Sequence, residues 1–136
     1  MFSKYCDFST KFYLLFLMKF ILFFFLVCLG AQAFSDGKFN KISSEIVFLE
    51  IVDGYTLVRP LIKLVVRNDG SISGKAAFRS VHGQWFWDND LFCRTLFWGE
   101  RDLGLNCQLV QHNGKIVRFT ADEGTGAFAD FTIEKN

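Results

Sequence analysis

From Gly54 to the C-terminus, glycines and other turn residues recur every eight to twelve positions, with apolar, β-branched and aromatic stretches between them. This spacing constrains the fold more than any other feature of the chain. It leaves room for short strands joined by tight turns, the pattern of a small antiparallel meander.

The hairpins can be read one at a time. In "LIKLVVRNDGSISGKAAF" a three-residue loop, Asn68-Asp69-Gly70, places Val66 opposite Ile72, Leu64 opposite Gly74 and Ile62 opposite Ala76. A two-residue loop would pair Leu64 with Lys75. The first register keeps apolar residues on one face and is preferred. "QWFWDNDLFCRTLFW" reads as a hairpin turning at Asp88-Asn89-Asp90. Asn113-Gly114 suits a type I′ turn joining strands 105–111 and 115–121. The last strand covers 127–134, and Pro60 fits a strand start or edge.

Ahead of these strands, residues 40 to 54 read as one helix. Asn40 is its N-cap, Ile42, Ile46, Leu49 and Val52 form its apolar stripe, and Gly54 stops it. The β-branched pairs Ile46-Val47 and Ile51-Val52 make a strand the competing reading. The expected fold is therefore mainly β. It is a curled antiparallel sheet or partly closed small barrel with one N-terminal helix.

The first 33 residues are of another kind. They hold eight of the 18 phenylalanines and one acidic residue, Asp7. "FILFFFLVCL" (Phe20 to Leu29) is followed by Gly30 and Ala31-Gln32-Ala33. A lysine, a short apolar run and a small-x-small ending make up a secretory signal peptide cleaved after Ala33. Met18 opens a complete compact signal and is the favoured true start. A membrane anchor is the alternative, but Lys19 interrupts the run, and a spanning helix needs about 20 largely apolar residues. The expected localisation is periplasmic or secreted, with membrane contact only through an uncleaved leader.

Residues 34–136 carry 12 Lys and Arg against 13 Asp and Glu, a net of −1. A nucleic-acid binder usually presents a basic face, so that class is set aside. Cys6 and Cys28 leave with the leader, and two thiols remain. Suppose strands 91–98 and 103–110 form a hairpin around Gly99, Glu100 and Arg101. Cys93 then lies opposite Cys107 and Thr95 opposite Leu105, and an oxidising compartment supports a disulfide. Disulfide geometry requires Cα atoms about 4.4 to 6.8 Å apart. The same scheme sets Trp85 across from Cys93.

Zinc held by Cys93, Cys107, His82 and His112 is the sharper alternative. It fails on distance, since His112 lies five residues along a strand from Cys107, roughly 16 Å at about 3.3 Å per residue. No metal and no cofactor are expected. There is no C-x-x-C, phosphate loop or G-x-S-x-G elbow, and Gly124-Thr125-Gly126 reads as a flexible turn.

The order "GKAAF", "GQWFW", "FCR", "NCQLV", "RFTADEGTGAFADFTI" resembles a family of small exported bacterial domains with no established function. The resemblance covers most of residues 45 to 134. Members are sometimes called dihydrodipicolinate reductase. That activity requires a Rossmann half built from an early strand, a Gly-rich turn and a helix, and the chain is too short for both enzyme domains. The sequence does not support it.

Trp85, Phe86, Trp87, Phe92 and Trp98 are many aromatics for a core this small, and some are expected to line an apolar cleft. Arg94 and Asp130 interrupt apolar strands, so each faces a pocket or the two form a structural ion pair. The favoured function is a non-enzymatic exported module that binds a small molecule or an envelope protein through Trp85, Trp87, Trp98, Arg94 and Asp130. The first alternative is a protein inhibitor presenting the disulfide-held hairpin Gly99–Leu103. The second is a small periplasmic enzyme using His82 or Asp130.

The leader yields a direct test. Intact-mass analysis of the exported protein should give a chain beginning at Phe34. A species retaining residues 18–33 would favour the anchor.

Overall fold

The structure, a computed structural model, describes Gly37–Asn136. The leader, its cleavage site, Cys6 and Cys28 lie outside the described residues. Successive side chains on a strand point to opposite faces, so apolar-polar alternation yields half-buried strands. The described residues form nine of them: β1 (Asn40–Lys41), β2 (Tyr55–Arg59), β3 (Ile62–Val66), β4 (Ser71–Ala76), β5 (Arg79–Asp88), β6 (Leu91–Trp98), β7 (Arg101–His112), β8 (Ile116–Thr120) and β9 (Phe128–Lys135). Helix α1 (Glu45–Val52) precedes β2, and a single turn, α2 (Ala121–Gly124), with left-handed backbone at Asp122 and Glu123, joins β8 to β9.

From β2 to β9 each strand pairs antiparallel with the next, and β9 returns to pair with β2. The result is a closed eight-stranded up-and-down barrel, with β1 as an extra strand on β7 at His112 and Gln111. The meander and the single N-terminal helix agree with the sequence reading, and the partial closure expected there is complete. Gly74 and Gly83 allow the wall to bend. A Cβ at Gly74 would collide with the Lys63 carbonyl, and one at Gly83 with the Thr95 carbonyl. Strands that approach this closely admit only glycine.

The β3–β4 register is the expected one, Val66↔Ile72, Leu64↔Gly74 and Ile62↔Ala76. Cys93↔Cys107 and Thr95↔Leu105 also hold. The β6–β7 turn is nevertheless tighter than expected, since Trp98 pairs with Arg101 across Gly99-Glu100. A bulge between Thr95 and Phe97 absorbs the difference.

Other assignments change. Asn89 and Asp90 both have positive φ (45° and 63°), which makes a two-residue type I′ turn with Asp88 opposite Leu91. The register therefore moves by one residue, and Phe86, not Trp85, faces Cys93. A one-residue shift exchanges the two faces of a strand. The β7–β8 turn is wider than a type I′ turn. His112 pairs with Val117, and the Asn113 side-chain oxygen accepts the Lys115 and Ile116 amides. Pro60 occupies the β2–β3 turn rather than a strand. The helix is shorter than the 40–54 reading: Asn40 belongs to β1, Ser44 stands at the N-cap, and Ile46 is exposed.

Phe48 and Val52, four apart on one face of α1, are fully buried. Phe48 packs on Trp85, Trp87 and Phe92 with ring centroids 5.5, 5.3 and 5.0 Å away, and on Phe119 at 6.2 Å. The helix thus stoppers one end of the barrel with an aromatic cluster. Trp85 is 6 % exposed, and its indole N–H donates to the Arg67 carbonyl at 2.8 Å, so its one polar atom is satisfied.

The Cys93–Cys107 disulfide forms on the face of β6 opposite Phe92 and Arg94, outside the barrel wall. Its Cα atoms are 3.9 Å apart, closer than the lower end of the expected range. The closed ladder, the core and this bond all fall within residues 37–136, so the barrel contains its own folding information. Closing the loop between the two cysteines stabilises the fold by about 3 kcal/mol. The double variant Cys93→Ser, Cys107→Ser should therefore melt more than about 10 °C below the parent, at some 4–8 °C per kcal/mol. Equal melting temperatures in a thermal scan would show that the bond contributes nothing to stability.

Candidate ligand-binding site

Alternation along β6 and β7 sends Phe92, Arg94, Leu96 and Gln108 into the barrel. A cavity of about 170 Å³ occupies the lumen between them and Leu64, Phe119 and Phe131. A second space of about 460 Å³ forms the mouth at the end opposite α1, where the β2–β3, β4–β5 and β6–β7 turns meet. Pro60, Ala77, Trp98 and Leu103 line that mouth. Leu64, Leu96, Ala129 and Phe131 line both spaces, so lumen and mouth adjoin at these side chains.

The lumen wall is apolar apart from Arg94 and Gln108. Arg94 stands between Trp85 and Asn106 in the ladder, and its Nη1 donates to the Gly104 carbonyl at 3.2 Å. No carboxylate pairs with the guanidinium among the described residues. Burial pushes the Arg94 pKa down, because the surroundings solvate the cation less well than water does. Asn106 is occupied elsewhere, donating to the Asp122 carboxylate at 2.7 Å.

The five residues singled out from the sequence separate into three groups. Trp85 and Trp87 belong to the aromatic stopper beneath the lumen. Arg94 lines the lumen and Trp98 the mouth, where the Trp98 N–H donates to the Ala76 carbonyl at 2.7 Å and Arg79 stacks on its ring. Asp130 lies on the outer wall. It accepts from Arg118 Nε and Nη2 at 2.7 and 2.8 Å, and this pairing holds its carboxyl below the usual carboxylate range. Phe39 and Phe128 sit on the Arg118 guanidinium at 4.1 and 4.2 Å, completing a clasp across β8 and β9. Arg94 and Asp130 are therefore not partners.

His82 is exposed on the outer wall and stacks on Phe97, its cross-strand neighbour, with 9° between the rings. Neither His82 nor Asp130 lines the lumen or the mouth. The described residues hold no group of three or more His, Cys, Asp or Glu placed to bind a metal ion, and both thiols are consumed by the disulfide. The hairpin at Gly99–Leu103 turns in two residues, with Asp102 tied to the Gly104 amide at 2.7 Å. Sequence reasoning missed Gln108 and Phe48. The period-two pattern Phe92, Arg94, Leu96 did carry a signal that Arg94 shares the apolar face.

No protein-family model, curated protein or solved structure matches this chain.

Proposed function

We propose that the barrel is an exported, non-enzymatic module that takes a small, mainly apolar ligand with an anionic group into its lumen. One observation carries this reading: a half-buried guanidinium, without a carboxylate partner among the described residues, in a lumen that is apolar but for Gln108 and adjoins an open mouth. Taking a charge out of water is costly, and an apolar residue of similar volume would pack this wall at least as well. An anion brought in by a ligand would supply the missing counter-charge, with Gln108 as a second polar contact. Few polar groups among apolar walls is the usual make-up of a small-molecule site. The disulfide is compatible with the oxidising compartment that export implies.

The test compares the parent with Arg94→Leu, using a fluorescent medium-chain fatty acid and the corresponding neutral alcohol. The variant should melt at or above the parent temperature. Its affinity for the acid should fall roughly ten- to a hundredfold, the scale of a hydrogen bond to a charged group, while the alcohol binds both proteins alike. If Arg94→Leu lowers the melting temperature and leaves fatty-acid binding unchanged, Arg94 is a structural tie to the Gly104 carbonyl and the reading fails.

A further inference from the structure

The β2–β3 and β4–β5 turns stand side by side on the rim of the mouth, joined by a hydrogen bond from the Ala77 amide to the Leu61 carbonyl at 2.9 Å. Each presents an apolar side chain to solvent. Leu61 is 71 % exposed and Phe78 94 % exposed. Both have left-handed backbone, with φ of 64° and 70°, as does Ala77 at 45°. Glycine or asparagine adopts these angles at lower cost, so nothing in the turn geometry calls for leucine or phenylalanine. Strain of this kind collects at functional positions.

Beneath the tips, on the outer wall, Lys63 and Lys75 are direct cross-strand partners. Like charges placed opposite each other destabilise a sheet. No carboxylate pairs with either lysine among the described residues. Arg79 follows Phe78 directly, and Arg59 precedes the Pro60-Leu61 turn. The other half of the same rim carries Glu100, Arg101 and Asp102 at the β6–β7 turn and Asp122 and Glu123 in α2, a net charge of −3 (four acidic groups against one arginine). The barrel end is therefore divided into an apolar, basic half and an acidic half.

We infer that the rim formed by Leu61, Phe78, Lys63 and Lys75 docks on the surface of an anionic phospholipid bilayer. Apolar tips enter the interface while cations meet the headgroup phosphates, the division of labour expected at a membrane surface. The acidic half of the rim is repelled and sets the tilt. Sequence alone pointed to membrane contact only through an uncleaved leader; this contact belongs to the folded barrel. Docking brings the mouth to the bilayer, from which an apolar anion can reach the lumen with little exposure to water. The docking stands on its own residues and does not require that the lumen be filled.

Residues 34–136, which include the whole barrel, are sedimented with vesicles of phosphatidylcholine alone and of phosphatidylcholine mixed with phosphatidylglycerol. The parent should bind the mixed vesicles only, and less tightly as salt rises. Leu61→Asn with Phe78→Asn should weaken binding at least about tenfold, and Lys63→Gln with Lys75→Gln by about fivefold for each lysine. Asparagine tolerates positive φ, so the tip variant should keep the parent melting temperature, which a thermal scan checks. Fatty-acid uptake without vesicles reports on the lumen and mouth, and it should be unchanged in the lysine variant and in Phe78→Asn alone, since none of these three residues lines either space. Three results would each overturn the docking: no binding to mixed vesicles, tip and lysine variants that bind like the parent, or a dimer of the parent in sedimentation that the tip substitutions dissolve.

Discussion

The pairing of β2 with β9 is the constraint on which everything else in the barrel depends. Tyr55, Thr56, Leu57 and Val58 meet Lys135, Glu134, Ile133 and Thr132, joining the first and last strands of the meander. Without that ladder the sheet would have two open edges, with unpaired amides and carbonyls inviting association. With it there is an inside, and eight strands enclose a space just wide enough for side chains or one small ligand. This contact spans nearly the whole domain, so it must offset the largest loop-closure entropy in the fold. The disulfide does not make this closure. It staples β6 to β7, strands already adjacent in the chain.

Once closed, the barrel is filled from one end. Phe48 drives an aromatic cluster into the α1 end, so the residual space lies toward the mouth. The single charged side chain of that space, Arg94, keeps a carbonyl contact with Gly104 and lacks an acidic partner among the described residues. Arg118, by contrast, is fully engaged outside the wall by Asp130, Phe39 and Phe128. The two arginines illustrate how little a residue type says about role. One is held on the outer wall by a carboxylate and two rings, and the other faces the lumen with a backbone carbonyl as its contact.

Much of the local structure was legible because strand pairing in a meander is set by turns between neighbours. The Asn68-Asp69-Gly70 loop carried its register in its own sequence, whereas the Cys93–Cys107 pairing held only because the bulge between Thr95 and Phe97 offsets a turn one residue shorter than expected. Misreadings trace to turn length. At Asn89-Asp90 an error of one residue moved Trp85 from beside the disulfide into the core, because side chains alternate with period two. At Asn113-Gly114 the wider turn moved the register without exchanging faces. The tryptophans expected to line a cleft were divided by helix α1, whose Phe48 takes Trp85 and Trp87 into the stopper and leaves Trp98 at the mouth.

Sequence by itself determined the strand class, the order of pairing between neighbours, the pairing of Cys93 with Cys107 and the presence of a helix ahead of the sheet. These follow from periodicity and turn chemistry, which act over a few residues. The tertiary structure alone decided that the meander closes, which end is stoppered, that Arg94 faces a lumen while Asp130 faces outward, and that Leu61 and Phe78 share a rim with Lys63 and Lys75. Each of these depends on which strands become neighbours around a ring and on which face turns inward. Such relations are set by the packing of the whole barrel, and no short stretch of the chain encodes them.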